Sequence, residues 1–249
     1  METVEDPTTI VDLLYSSEQD FIDLNELREK CASDVLLARH SLYPDSQRPE
    51  MLKFVPMGAE TVLDVGCHMG AFGWAIKQMS GAEVWGVEPN PETARVAEQS
   101  LDRVVTGFFS EVMPIPNNYF DVVTFNDVLE HMPDPWAALK LAEKKLKKGG
   151  CIVVSIPNLR HIENLLHIIR EKDFQYEPEG IRDKTHLRFF TKKSAARLFE
   201  ESGLKIVRIE GINENWWRPT LVRRLAFRFF RKQLEDTRFV QFAIVAKKV

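Results

Sequence analysis

No apolar run in this 249-residue chain approaches the ~20 residues needed to cross a bilayer. The acidic start METVEDPTTIVDLLY lacks the basic-then-apolar pattern of a secretory signal, so a cytoplasmic location is expected. Cysteine is scarce. Cys31, Cys67 and Cys151 are far apart and odd in number, which argues against a disulfide framework and for a reducing compartment. Without a CxxC pair or tight Cys/His spacing, a structural zinc site is not expected. Positive charge is not in excess either. The 33 Lys+Arg residues stand against 37 Asp+Glu, a net charge of −4, whereas a broad phosphate-binding surface calls for the opposite balance. Nucleic acid is therefore not an expected partner. Internal repeats and low-complexity linkers are missing as well.

What is present suffices for one large domain, since 44% of the residues are hydrophobic. Residues 1–50 read as a polar helical extension, with helices expected around Ile22–Lys30 and Asp34–His40. From Glu60 the pattern changes to short apolar runs alternating with helical stretches. Strands are expected at Thr61–Val65, Glu83–Glu88, Arg103–Gly107, Phe120–Asn126 and Cys151–Ile156, with two more at Lys205–Gly211 and Phe239–Ala246. Helices are expected over Ala71–Met79, from Pro91 through Leu101, and over Asp134–Lys147, the last ended by Gly149-Gly150. Uniformly apolar strands between helices point to an α/β fold, a mostly parallel sheet covered on both faces. Residues 51–249 form that domain, with 213–237 inserted between its last two strands.

The stretch LDVGCHMGAFG, Leu63–Gly73, has the form of a ligand-binding strand–turn–helix. A pyrophosphate-binding turn aligned on Gly70 and Gly73 would require glycine at 68, so His68 counts against a dinucleotide. Gly66 and Gly70 keep the outer glycines of a looser turn. Glu88 ends the second strand 18 positions after Gly70, where a carboxylate can accept hydrogen bonds from both ribose hydroxyls.

Together, VLDVGCHMGAFG, VWGVEPN, FDVVTFNDVLEHMPDPW, LKKGGCIVVSIPN and THLRFFT resemble the class I S-adenosylmethionine (SAM)-dependent methyltransferases. The run SIPNLRH…GIRDKTHLRFFT is similar to the branch met in bacterial surface-polysaccharide clusters. The resemblance implies a Rossmann-like, seven-stranded sheet with an antiparallel last strand, and SAM as cofactor, released as S-adenosyl-L-homocysteine. It implies that Asp64, Gly66, Cys67, His68 and Gly70 shape the methionine pocket, and that Glu88 and Pro89 flank the ribose. Asn126 and Asp127 would lie by the methionyl end. Phe108 stands where the family often has an acid for the adenine amino group, and it either stacks on adenine or packs beside it. Backbone near Phe109 would read the adenine edge.

Methyl transfer to a hydroxyl calls for a general base within hydrogen-bond reach, whereas a neutral amine needs little beyond alignment. Asp127 and His131, four residues apart, can face one side of a turn. His131 is the favoured base and His186 its rival; each also has an ordinary reading as a hydrogen-bonded loop residue. The D-x-x-E-H spacing of Asp127, Glu130 and His131 lacks a second carboxylate cluster, so no metal is expected. Asn158, Arg160, Arg188, Trp216 and Trp217 are candidates for holding the acceptor. The basic, aromatic run Arg218–Lys232 either touches a membrane or lipid-linked glycan, or packs as an ordinary helix. The expected function is O-methylation of a sugar hydroxyl on a glycan or nucleotide-sugar intermediate. N- or O-methylation of another small metabolite and a non-catalytic SAM-binding scaffold are the alternatives.

Overall fold

The computed structural model describes residues 46–214 and 220–248. The expected N-terminal helices and the Trp216-Trp217 pair lie outside the described residues. A short helix α1 (Pro49–Leu52) precedes β1 (Thr61–Val65), α2 (Ala71–Ser80), β2 (Glu83–Glu88), α3 (Pro91–Ala97) and β3 (Arg103–Thr106). Then come β4 (Phe120–Asn126), a 3-10 turn (Leu129–His131), α4 (Pro135–Lys145) and β5 (Leu146–Pro157). Helices α5 (Ile162–Glu171) and α6 (Lys192–Glu201) lead to β6 (Leu204–Ile212), α7 (Leu221–Phe229), α8 (Arg231–Leu234) and β7 (Gln241–Lys248).

The strands form one seven-stranded sheet in the order β3-β2-β1-β4-β5-β7-β6. β1 to β5 pair in parallel, and β7 runs antiparallel to both β5 and β6. This is the Rossmann-like methyltransferase arrangement expected from the motifs, including its antiparallel last strand. The period-2 alternation of each strand divides its side chains between two cores. Val123, Phe125, Ile152 and Val154 face the layer containing Leu139 of α4 and Phe199 of α6. Val122, Cys151 and Val153 face the layer containing Ile76 of α2 and the fully buried Met51 of α1. Among the described residues no helix is long and apolar enough to cross a membrane, and Cys67 and Cys151 are buried.

Local chemistry sets the helix starts. Asn90 caps α3, its Oδ1 accepting the Glu92 amide at 2.8 Å with Pro91 in the first turn, and Asp134 caps α4 through the Ala137 amide at 2.9 Å. Two helices end earlier than expected. α3 stops at Ala97 and the chain reaches Leu101 by a turn. Gly149-Gly150 does not terminate α4, which ends at Lys145; both glycines lie within the longer β5. There Gly149 takes φ 84°, and a Cβ on Gly150 would sit 3.0 Å from the Asp121 carbonyl oxygen, beside a register shift between Phe120 and Val122. The glycines serve an irregular strand.

The turn after β1 is closely packed against the segment that follows β4. Gly66 has φ 76°, and a Cβ there would lie 2.5 Å from Val128 Cγ2. Gly66→Ala should therefore cost about 2–4 kcal/mol, the sum of left-handed strain and overpacking. Thermal or urea unfolding of the variant checks this, and an unchanged midpoint would show that Val128 yields freely.

Candidate active site

β1 and β4 are adjacent although β2 and β3 lie between them in the chain, so connections leave the sheet in opposite directions at their carboxyl ends. Open α/β sheets hold ligands at such a switch point. A cavity of about 780 Å³ occupies it.

The turn after β1 forms one wall. His68 adopts φ 50°, the left-handed conformation that glycine supplies freely, at a cost of about 1–2 kcal/mol. The backbone path of a glycine turn is thus kept, and the side chain stands on the cavity wall with Asp64, Gly66 and Cys67. Asp64 is buried, its Oδ1 accepting the Thr124 hydroxyl at 2.6 Å. Gly70 is not on the wall; it opens α2 with φ 90°, where a Cβ would come within 3.1–3.3 Å of Ser100 and Ala97. Glu88 is also off the wall. It is fully buried between the lining residues Val87 and Pro89, and its oxygens accept the His68 and Asn90 amides, each at 2.9 Å. Its observed work is to hold the turn.

Phe108 and Phe109 line the opposite side. Phe109 packs edge-on against Phe125, whereas Phe108 is 45% exposed. Asn126 ends β4 with both polar atoms of its amide buried and without a hydrogen-bond partner. A buried amide in that state loses the full value of its hydration unless a ligand restores it.

Asp127 follows at φ 55°. It is not a free base. Its carboxylate takes Arg48 Nη1 at 2.5 Å, Gln241 Nε2 at 2.7 Å and the Ser155 hydroxyl at 2.8 Å. Burial works against the Arg48 charge, but the Asp127 and Glu50 carboxylates more than offset it and hold the guanidinium deeper in its protonated range. Arg48 is the one Lys or Arg lining the cavity among the described residues. Sequence reasoning missed it, because Arg48 stands beyond the strand motifs and no local spacing links it to Asp127.

The two histidines are brought together. Their rings stack edge-to-face with centroids 4.7 Å apart, both on the cavity wall. The segment carrying His186 is clamped onto the 3-10 turn by the Leu187 and Arg188 amides, which donate to the Glu130 carbonyl at 2.8 and 3.0 Å. His131 Nδ1 lies 3.2 Å from the Thr185 carbonyl and 3.1 Å from its hydroxyl. His186 Nδ1 lies 3.2 Å from the Ile181 carbonyl. With Nδ1–H donating to these carbonyls, Nε2 is the basic nitrogen of each ring. Burial pulls the His186 imidazole below its ordinary pKa.

Glu130 is fully buried, neither carboxylate oxygen has a hydrogen-bond partner, and His186 Nε2 lies 4.0 Å from Oε1. Burial, and after it the Asp127 charge, push this carboxyl well above the usual range. Glu130, His131 and His186 each place one potential metal-ligand atom within 4.8 Å of the others. The carboxylate–histidine grouping seen in the sequence thus recruits His186, while Asp127 is engaged by Arg48.

The acceptor candidates fare differently. Asn158 is fully buried, donates to the Asp236 and Phe239 carbonyls at 2.8 and 2.9 Å, and accepts the Arg160 amide. Arg160 pairs with Asp236 and reaches the Gln233 carbonyl. Arg188 donates to the Pro133 carbonyl at 2.7 Å. None of the three lines the cavity. They tie the segments after β5 to the body of the fold.

A family model described as a methyltransferase domain matches residues 25–209. The chain is 32% identical over 163 residues to a ubiquinone biosynthesis O-methyltransferase of Colwellia psychrerythraea, covering 62% of this chain and 64% of the relative. A ubiquinone biosynthesis O-methyltransferase of Thiobacillus denitrificans is 29% identical over 64% of this chain and 71% of its own length. The chain thus spans under two thirds of the first of these relatives. Among solved structures, a SAM-dependent methyltransferase of Archaeoglobus fulgidus superposes with TM-score 0.54 at 23% identity, covering 92% of this chain and all of the other. The Haemonchus contortus phosphoethanolamine N-methyltransferase 2, solved with SAM bound, gives TM-score 0.56 at 14% identity over 87% of this chain and 57% of its own.

Removing the cation beside Asp127 would strand a half-buried charge. Arg48→Ala should destabilise by about 1–3 kcal/mol, less than for a fully buried pair because both groups keep some solvent. In a double-mutant cycle with Asp127→Ala the two losses should not add, and additive losses would dissolve the pairing.

Proposed function

The chain belongs to the methyltransferase-domain family of SAM-dependent enzymes, and from that premise we propose that it methylates a hydroxyl of a small, largely apolar acceptor, with His131 as general base. The observation that carries this reading is a single cavity holding an unpartnered buried amide, an Arg–Asp pair and two backbone-anchored histidines.

The residues present fit SAM. Its methionyl part is a zwitterion, and Arg48 with Asp127 offers the complementary charges, a cation for the carboxylate and an anion for the ammonium. Asn126 supplies a donor and an acceptor with no other use. Phe108, 45% exposed, can cover the adenine, and Glu88, behind the turn that it holds, is the carboxylate proposed for the ribose. Bound SAM supplies a methyl group activated by a sulfonium and leaves as S-adenosyl-L-homocysteine. The acceptor oxygen gains that methyl as its proton passes to histidine. His131 suits the task better than His186 because it is only half buried, so an acceptor can reach it.

The sugar or glycan acceptor expected from the motifs finds no support in the relatives' names, which concern ubiquinone biosynthesis. Val128, Met132, Pro133, Ile181 and Val240 make the remaining wall predominantly apolar, which favours an acceptor with an apolar body.

A second reading rests on Glu130. A divalent ion held by Glu130, His131 and His186 would satisfy its bare oxygens and acidify the acceptor hydroxyl. Chelation separates the two. A metal-stripped enzyme that keeps full turnover supports the base, whereas loss restored by an added divalent ion assigns the cluster to a metal.

Transfer of labelled methyl from SAM to hydroxylated quinone precursors, nucleotide sugars and lipid-linked glycans tests the acceptor; labelling confined to the sugars would overturn the apolar assignment. His131→Ala should lower kcat by ~10²–10⁴ with SAM affinity nearly unchanged. Wild-type turnover in that variant would remove His131 from the chemistry. Glu88→Ala should weaken SAM about tenfold or more in calorimetry, through the ribose contact and the turn it holds. Unchanged affinity in the folded variant would end its role.

A further inference from the structure

Helix α7 is turned the wrong way round for a helix on a water-facing surface. At about 100° per residue, Leu221, Val222, Leu225 and Phe229 fall within roughly 100° of arc. A surface helix ordinarily buries such a stripe. Here the stripe faces outward: Leu221 is 74% exposed, Val222 75%, Leu225 49% and Phe229 76%. The half-buried side is instead that of Arg223, Ala226 and Phe227, and Arg223 is anchored to Glu163 of α5. Phe230, 58% exposed, extends the apolar surface toward α8.

Charge accompanies the stripe. Residues 221–232 carry Arg223, Arg224, Arg228, Arg231 and Lys232 and no acid, in a chain of net charge −4. Arg224 and Arg228 are exposed and border the stripe, and Arg231 and Lys232 are exposed on α8. Concentrated apolar and cationic groups on one outward face match the boundary of an anionic bilayer, where acyl chains receive the aliphatic and aromatic tips and phosphates receive the guanidinium groups. Arginine stems can lie along the boundary with their heads at phosphate level.

We infer that α7 and α8 form a docking surface for an anionic lipid bilayer, on which the protein lies peripherally. The inference does not depend on the acceptor or on the general base, since none of these residues lines the cavity.

Co-sedimentation of the full chain with vesicles tests it. Wild type should partition onto phosphatidylcholine vesicles containing 30% phosphatidylglycerol and remain in the supernatant with phosphatidylcholine alone. Arg224→Ala with Arg228→Ala should weaken partitioning roughly 30-fold, and Leu225→Asp with Phe229→Asp should abolish it. All these positions are exposed, and unchanged melting temperature and SAM affinity would verify the fold of each variant. Equal binding to neutral and anionic vesicles, or no binding by wild type, would overturn the proposal. So would a wild-type dimer that Phe229→Asp converts to monomer, which would assign the face to a second copy of this chain.

Discussion

The Arg48–Asp127 pair is the point on which the site is assembled. Asp127 follows β4 directly, Ser155 belongs to β5, Gln241 opens β7, and Arg48 arrives from the segment before the sheet. Four chain regions far apart in sequence therefore meet on one carboxylate. Partly desolvating that carboxylate is tolerable because three donors serve it, which ties the local geometry of the cavity to correct assembly of the sheet. The same coordination leaves Asp127 poorly suited to proton transfer and well suited to holding a charged ligand.

The cavity divides into two chemically distinct halves. On the side of the β1 turn, backbone conformation governs: Gly66 leaves room for Val128, His68 accepts left-handed strain, and Glu88 fixes the turn by gripping two amides. On the side of the 3-10 turn, burial governs side-chain acidity, pushing Glu130 toward its neutral form and lowering the pKa of His186. Burial in one poorly solvated corner thus shifts both groups toward their uncharged forms.

Much of this was legible in the sequence. Short apolar runs located all seven strands; β1, β2 and β4 are buried over nearly their whole length, and such a strand has little choice of composition. The glycine turn located the cavity for a related reason, since only certain backbones pass so close to a neighbour. Gly149-Gly150 misled because the pair serves equally to stop a helix and to kink a strand, and the register of β4 against β5 decides between them. Asn158, Arg160 and Arg188 lie in a recognisable motif, yet their polar atoms are spent on backbone carbonyls and Asp236. Arg48 escaped notice for the opposite reason: it belongs to no local pattern, and only the folded sheet puts it beside its partner. His186 stood in plain view, but nothing in the sequence showed that Glu130's carbonyl would clamp its loop beside His131.

The place of β7 has a consequence for the order in which the molecule is made. The last strand in the chain is not at an edge of the sheet but is inserted between β5 and β6, satisfying the ladders of both. Until residues 241–248 have been synthesised, β5 presents a bare, apolar edge to its surroundings, the kind of template that invites pairing with another chain. Gln241, at the head of that same strand, is also a ligand of the Asp127 carboxylate. A growing polypeptide therefore gains its protected edge and its finished cavity in one event, and a chain interrupted before that strand lacks both.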